Sequence, residues 1–123
     1  MPDYVFTIKV CVFSVCLQVT VQAVIGGSAV LPCSLAKHDL KPQDIIVHWR
    51  DKDSEIVCDL IEGKVKQQDQ RYENRAQTFP NEYERGNFSI KLINLTHADA
   101  GVFICYITHL SYSKQDIVQL FIN

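Results

Sequence analysis

Long apolar runs are absent from this chain of 123 residues, and with them any stretch of the length a membrane-spanning helix requires. Basic charge is not in surplus either. Twelve Lys and Arg against 14 Asp and Glu give a formal net charge of −2, so no electropositive field points to nucleic acid. No segment sustains the spacing of an amphipathic helix. Catalytic signatures are missing too: there is no His-Glu-x-x-His, no Gly-x-Ser-x-Gly and no glycine loop suited to phosphate. His38, His48, His97 and His109 share no metal-ligand spacing, and the cysteines contain no Cys-x-x-Cys pair. The expectation is therefore no catalytic residue, no metal, no cofactor and no small-molecule substrate.

What is present is a hydrophobic content of 47%, too high for a disordered segment, in a length that suits one core rather than two. Five cysteines are many for a cytosolic domain of this size. Two acceptor sequences for N-glycosylation, Asn87-Phe88-Ser89 and Asn94-Leu95-Thr96, agree with an extracellular destination. The N-terminus reads two ways. Val10 to Leu17 is a short apolar core with small residues, Ser14 and Cys16, suited to leader cleavage after Cys16. Against a leader, Met-Pro-Asp-Tyr carries no basic side chain and Lys9 interrupts the run; cleavage after Ala23 would remove the first strand. Residues 1–16 are expected to be a signal peptide or an N-terminal extension, and residues 17–123 the domain. The product is then secreted, or is the outermost piece of a longer cell-surface chain.

Period-2 runs bounded by turn residues recur along the chain and predict an all-β fold. Strands are expected over Leu17 to Val24, Ser28 to Leu35, Ile45 to Arg50, Glu55 to Ile61, Asn87 to Ile93, Val102 to Thr108 and Ile117 to Ile122. Gly26-Gly27 breaks the first from the second, and Val30 and Cys33 are placed near the core. Lys64 to Gln70 reads as a loop or weak edge strand, and Arg71 to Phe79 leads to a turn at Pro80-Asn81. Helix is expected only as a single turn near Thr96 to Ala100.

Cys33 in one apolar run, Trp49 in the next and Cys105 closing Asp99-Ala100-Gly101-Val102-Phe103-Ile104-Cys105 resemble the framework of an immunoglobulin-type two-sheet sandwich with Greek-key topology. The resemblance implies a Cys33–Cys105 disulfide between the sheets and a core that includes Trp49, Leu92 and Phe103. Closing a loop of about 72 residues, such a bond is worth about 4 kcal/mol by chain entropy. Room between Trp49 and Arg71 accommodates the extra strands of a variable-type (V-set) domain. Phe103 stands where the tyrosine corner of that fold places Tyr, forfeiting one hydrogen bond of about 1 kcal/mol. Asp99 should meet an arginine across the base of the domain, with Arg75 the first choice and Arg71 the alternative. Cys58 is left alone, either as a small buried hydrophobe beside Leu60 or as a thiol that is free or paired with another molecule.

Alternation then sorts the strands around Trp49 and Cys105 into two faces. With Val47, Trp49, Phe103 and Cys105 inward, the residues Ile46, His48, Arg50, Ile104, Tyr106 and Thr108 face outward. Keeping Leu60 inward puts Val57, Asp59 and Ile61 outside, and inward Val118, Leu120 and Ile122 leave Gln115, Ile117 and Gln119 outside. A face so rich in isoleucine is more apolar than a half-solvated sheet requires, which is the pattern of a protein-binding surface. Neither glycan acceptor, Asn87 or Asn94, falls on its strands.

Three stretches resemble a narrower group. Gly26-Gly27-Ser28-Ala29-Val30-Leu31-Pro32-Cys33, Arg71-Tyr72-Glu73-Asn74-Arg75-Ala76 followed by Gly86-Asn87-Phe88-Ser89-Ile90-Lys91-Leu92, and Asp99 to Ile107 are similar to butyrophilins, myelin oligodendrocyte glycoprotein and the T-cell co-stimulatory and co-inhibitory ligands. The resemblance implies an extracellular ligand whose outward set binds a protein receptor on T cells. The competing expectation is an adhesion module that uses the same face for self-association as a homodimer or for another surface protein. An antigen-receptor variable domain is disfavoured, since Ser111 to Asn123 lacks Phe-Gly-x-Gly.

Overall fold

The computed structural model describes residues 4–11, 16–37 and 39–123. Alternating sequence becomes strands β1 (Tyr4–Cys11), β2 (Cys16–Ala23), β3 (Ala29–Leu31), β4 (Ile45–Arg50), β5 (Ile56–Ile61), β6 (Lys64–Gln67), β7 (Ala76–Gln77), β8 (Ile90–Leu92), β9 (Gly101–His109) and β10 (Tyr112–Ile122). They form a seven-stranded sheet, ordered β1-β2-β10-β9-β4-β5-β6, and a three-stranded sheet, ordered β3-β8-β7. Pairing is antiparallel throughout except between β2 and β10, which run parallel from Gln18 opposite Ile117 to Ala23 opposite Ile122. Ser14 and His38, both weighed in the sequence, lie outside the described residues.

The core lies between the sheets because each strand turns every second side chain inward. Val47 and Trp49 of β4, Phe103, Cys105 and Ile107 of β9, and Val118 and Leu120 of β10 meet Ala29, Leu31, Phe88, Ile90 and Leu92 from the other side. Cys105 sits directly opposite Trp49 in the β4–β9 register and is bonded to Cys33, just beyond β3. The disulfide and the indole thus occupy the centre of the sandwich. The buried Trp49 Nε1–H donates to the Phe88 carbonyl at 3.1 Å, so its polar atom is satisfied without water.

Two local details depart from the sequence reading. Ala29, Leu31, Cys33 and Leu35 are the buried series, and Val30 is only half-buried. Val30 and Cys33 differ in parity, so they cannot both point inward along one strand. Short 3-10 helices also form at Pro42–Asp44, one turn, and at Pro80–Arg85, two turns, besides the expected turn at His97–Asp99. Proline begins both unexpected helices, where its fixed φ suits the first helical position and its missing N–H costs nothing. Pro80–Arg85 ends at Gly86, which has φ +85° and whose added Cβ would lie 2.2 Å from the Leu35 carbonyl oxygen. Only glycine fits there, which accounts physically for the Gly in Gly-Asn-Phe-Ser.

One end of the sandwich is closed by a polar cluster. Asp99, 2% exposed, accepts from Arg75 at 2.5 Å and from the Thr96 backbone N–H at 2.8 Å. Arg71 approaches its other oxygen at 3.7 Å, so both arginines weighed in the sequence converge on Asp99, with Arg75 the tighter. Beside it, the Tyr72 hydroxyl donates to Asp51 at 2.5 Å; burial and that carboxylate push the phenol well above its usual range. Phe103 is fully buried at the corner and lines the same small hollow as Asp51, Tyr72 and Asp99.

Candidate functional site

The outer face of the seven-stranded sheet can be read row by row from its registers. One row runs Ile61, Ile46, Thr108, Ser113. The next runs Asp59, His48, Tyr106, Gln115. A third runs Ile56, Arg50, Ile104, Ile117. Directly opposed residues on antiparallel strands share a face, so these side chains stand together. A polar row therefore crosses the sheet between two rows rich in isoleucine. Ile46 and Tyr106 are the most open of the large side chains, at 37% and 39% exposure, while Ile61, Ile104 and Ile117 are half-buried among their neighbours. Between β9 and β10 a shallow depression of about 240 Å³ is lined by Tyr106, Thr108, Ser113 and Gln115.

Two residues placed on this face by alternation behave differently. Val57 is not outside: it is fully buried. The β4–β5 ladder shifts register between Trp49 and Arg50, which pair with Cys58 and Ile56 respectively, leaving Val57 as the extra residue of a bulge. Ile56 takes the outward place opposite Arg50, and a count of two from Leu60 fails at that point. Asp59 does lie in the outward row but is only 6% exposed, because His48 and Arg50 close over it. His48 Nδ1–H donates to its Oδ1 at 2.7 Å, and Arg50 donates to both oxygens at 2.6 and 3.3 Å. Burial alone would raise the Asp59 pKa; the hydrogen bonds from Arg50 and then His48 outweigh it and hold the carboxyl below its usual range.

Cys58, adjacent to Asp59, is buried and unpaired, and burial pushes its thiol up to about 11. It is the inert small hydrophobe of the two readings. The glycan acceptors are on other ground. Asn87 is half-buried next to β8, with its Oδ1 accepting from the Ser89 N–H at 3.1 Å, and Asn94 is exposed in the turn after β8 with φ +52°. Among the described residues no group of His, Cys, Asp and Glu could hold a metal, and no helix is long and apolar enough to cross a membrane.

The family model described as "Immunoglobulin V-set domain" matches residues 17–123. The chain belongs to the immunoglobulin V-set family. That family comprises non-enzymatic immune ligands and adhesion proteins, and this V-set chain is not an enzyme. It is 30% identical over 100 residues to human "HERV-H LTR-associating protein 2", covering 77% of this chain and 23% of the relative. It is 33% identical over 86 residues to human "V-set domain-containing T-cell activation inhibitor 1", covering 68% of this chain and 30% of the relative. The V-set domain thus spans about a quarter to a third of the curated relatives' length. Among solved structures, a chain in "Crystal structure of ICOS in complex with ICOS-L and an anti ICOS-L VNAR domain" aligns with a TM-score of 0.78 and 26% identity, over 85% of this chain and 54% of that one. V-set domains of surface immune ligands are extracellular, in keeping with the Cys33–Cys105 disulfide.

Proposed function

We propose that this domain is the receptor-binding module of an extracellular T-cell co-signalling ligand. It engages an immunoglobulin-family receptor on T cells through the outer face of the seven-stranded sheet. The observation that carries the reading is the pair of isoleucine-rich rows left open on that face, with the Asp59–His48–Tyr106–Gln115 row between them. Apolar anchors beside a few oriented polar groups are what a specific interface needs, and burying each large side chain is worth roughly 1.5–3 kcal/mol before association costs. The contact set is Ile46, His48, Arg50, Ile56, Ile61, Ile104, Tyr106, Thr108, Gln115 and Ile117, with Asp59 bracing it from beneath. Relatives whose names include a T-cell activation inhibitor, and a neighbour from a structure of ICOS in complex with ICOS-L, support a co-signalling receptor on T cells as partner.

Glycans on Asn87 and Asn94 leave this face clear. Cleavage after Cys16 would remove β1 and leave β2 as the edge strand, still held along β10; a family match beginning at residue 17 supports that boundary. Presentation at the cell surface follows if the domain heads a longer anchored chain.

The test is staining of activated T cells with a multimerised domain. Tyr106→Ala and Ile104→Asp should each abolish staining while the protein is secreted and folded. Undiminished staining by both variants would sink the reading.

A further inference from the structure

The polar row contains one side chain whose hydrogen-bonding capacity is half used. His48 is tied by Nδ1 to Asp59, its side chain is 38% exposed, and Nε2 on the far side of the ring has no partner among the described residues. Asp59 is already matched in charge by Arg50, which bonds to both of its oxygens. The groups facing His48 are Asp59 from β5, Arg50 from its own strand and the Tyr106 phenol from β9, with uncharged Gln115 beyond it. With the imidazole neutral, Asp59, Arg50 and His48 sum to no net charge. Because Nδ1 carries the proton toward Asp59, Nε2 then presents a lone pair outward.

The surroundings decide which form a bound partner accepts. Ile46 and Ile61 flank the row on one side, and Ile56, Ile104 and Ile117 on the other, so a protein lying here removes water from both sides of the ring. An added positive charge in that dry setting is costly, whereas a neutral acceptor needs only one donor. Resting on the receptor-binding reading above, we infer that the receptor offers an uncharged hydrogen-bond donor, such as a hydroxyl or amide, to His48 Nε2. A cation at this position removes that acceptor and weakens the complex. His48 is thus the specificity-determining residue of the row. The support beneath it survives mild acid: Asp59 has a lowered pKa, so its contribution to stability is present above the ordinary carboxylate range and is lost only as pH falls through the lowered value.

The experiment stains activated T cells with multimerised wild type, His48→Gln and His48→Lys, with folding of each followed by circular dichroism. Glutamine keeps an acceptor oxygen, whereas lysine offers only donors and a positive charge. His48→Gln should retain most of the wild-type staining, and folded His48→Lys should lose at least about tenfold in affinity. A folded lysine variant that stains as wild type does overturns the inference, as does a glutamine variant that is folded and loses as much as lysine. Absence of wild-type staining is a different failure, that of the receptor-binding reading.

Discussion

Two aspartate–arginine clusters in this domain use the same chemistry to different ends. At the base, Asp99 is bound by Arg75, the Thr96 N–H and the nearby Arg71, and Arg75 spends its remaining donors on the carbonyls of Ile93, Arg71 and Asn94. On the outer face, Asp59 is nearly as sealed, and its partners are exposed to a similar degree: the His48 and Arg50 side chains are 38% and 24% exposed, those of Arg71 and Arg75 31% and 21%. The arginines of the base spend their other donors on backbone carbonyls before and within the single helical turn His97–Asp99. The face turns its carboxylate inward and leaves the far atom of one partner free. A sealed carboxylate therefore marks a structural cluster or a recognition cluster according to where its partners' unused atoms point.

The comparison breaks most visibly at the base. Arg75→Ala leaves Asp99 buried with its main counter-charge gone, and should cost about 3–5 kcal/mol in chemical denaturation. A loss below about 1 kcal/mol would mean that this cluster is no more structural than the exposed one. A smaller effect separates Val57 from Ile56. Val57→Ala should cost about 2 kcal/mol because it opens a cavity at a fully buried site, while Ile56→Ala, at a half-buried one, costs less. Thermal melts in the reverse order would show the bulge to be misplaced. Smallest is Asp59→Asn, about 1.5 kcal/mol near neutral pH, since its partners regain water. The stability gap between that variant and wild type should close as pH falls through the lowered Asp59 pKa, because the wild-type carboxyl then takes up its proton and loses the charge that holds Arg50. Denaturation curves at several pH values check this, and a gap that stays constant into strong acid contradicts it.

Much of the outer face was legible because alternation is local. Ile46, His48 and Arg50 follow from Trp49, and Ile104 and Tyr106 follow from Cys105, with no knowledge of what lies beside them. The signal failed where a neighbour intervened. Val57 is displaced by a bulge that exists only in the pairing with Arg50, and β5 carries no glycine or proline to mark it. The helical segments at Pro42–Asp44 and Pro80–Arg85 did have a signal, proline at the first helical position, which at Pro80 supported only a turn at Pro80-Asn81.

By itself the sequence determined the sandwich: period-2 strands, a Cys–Trp–Cys framework and an aspartate with two arginines within reach leave few other ways to bury the apolar residues. Tertiary structure alone decided that both Arg71 and Arg75 approach Asp99, that Asp59 is covered rather than displayed, and that His48 points one nitrogen at Asp59 and the other at solvent. The physical reason is range. Side-chain parity is set by adjacent peptide units, whereas ion pairing and burial depend on cross-strand register and on how far long side chains reach between strands distant in sequence.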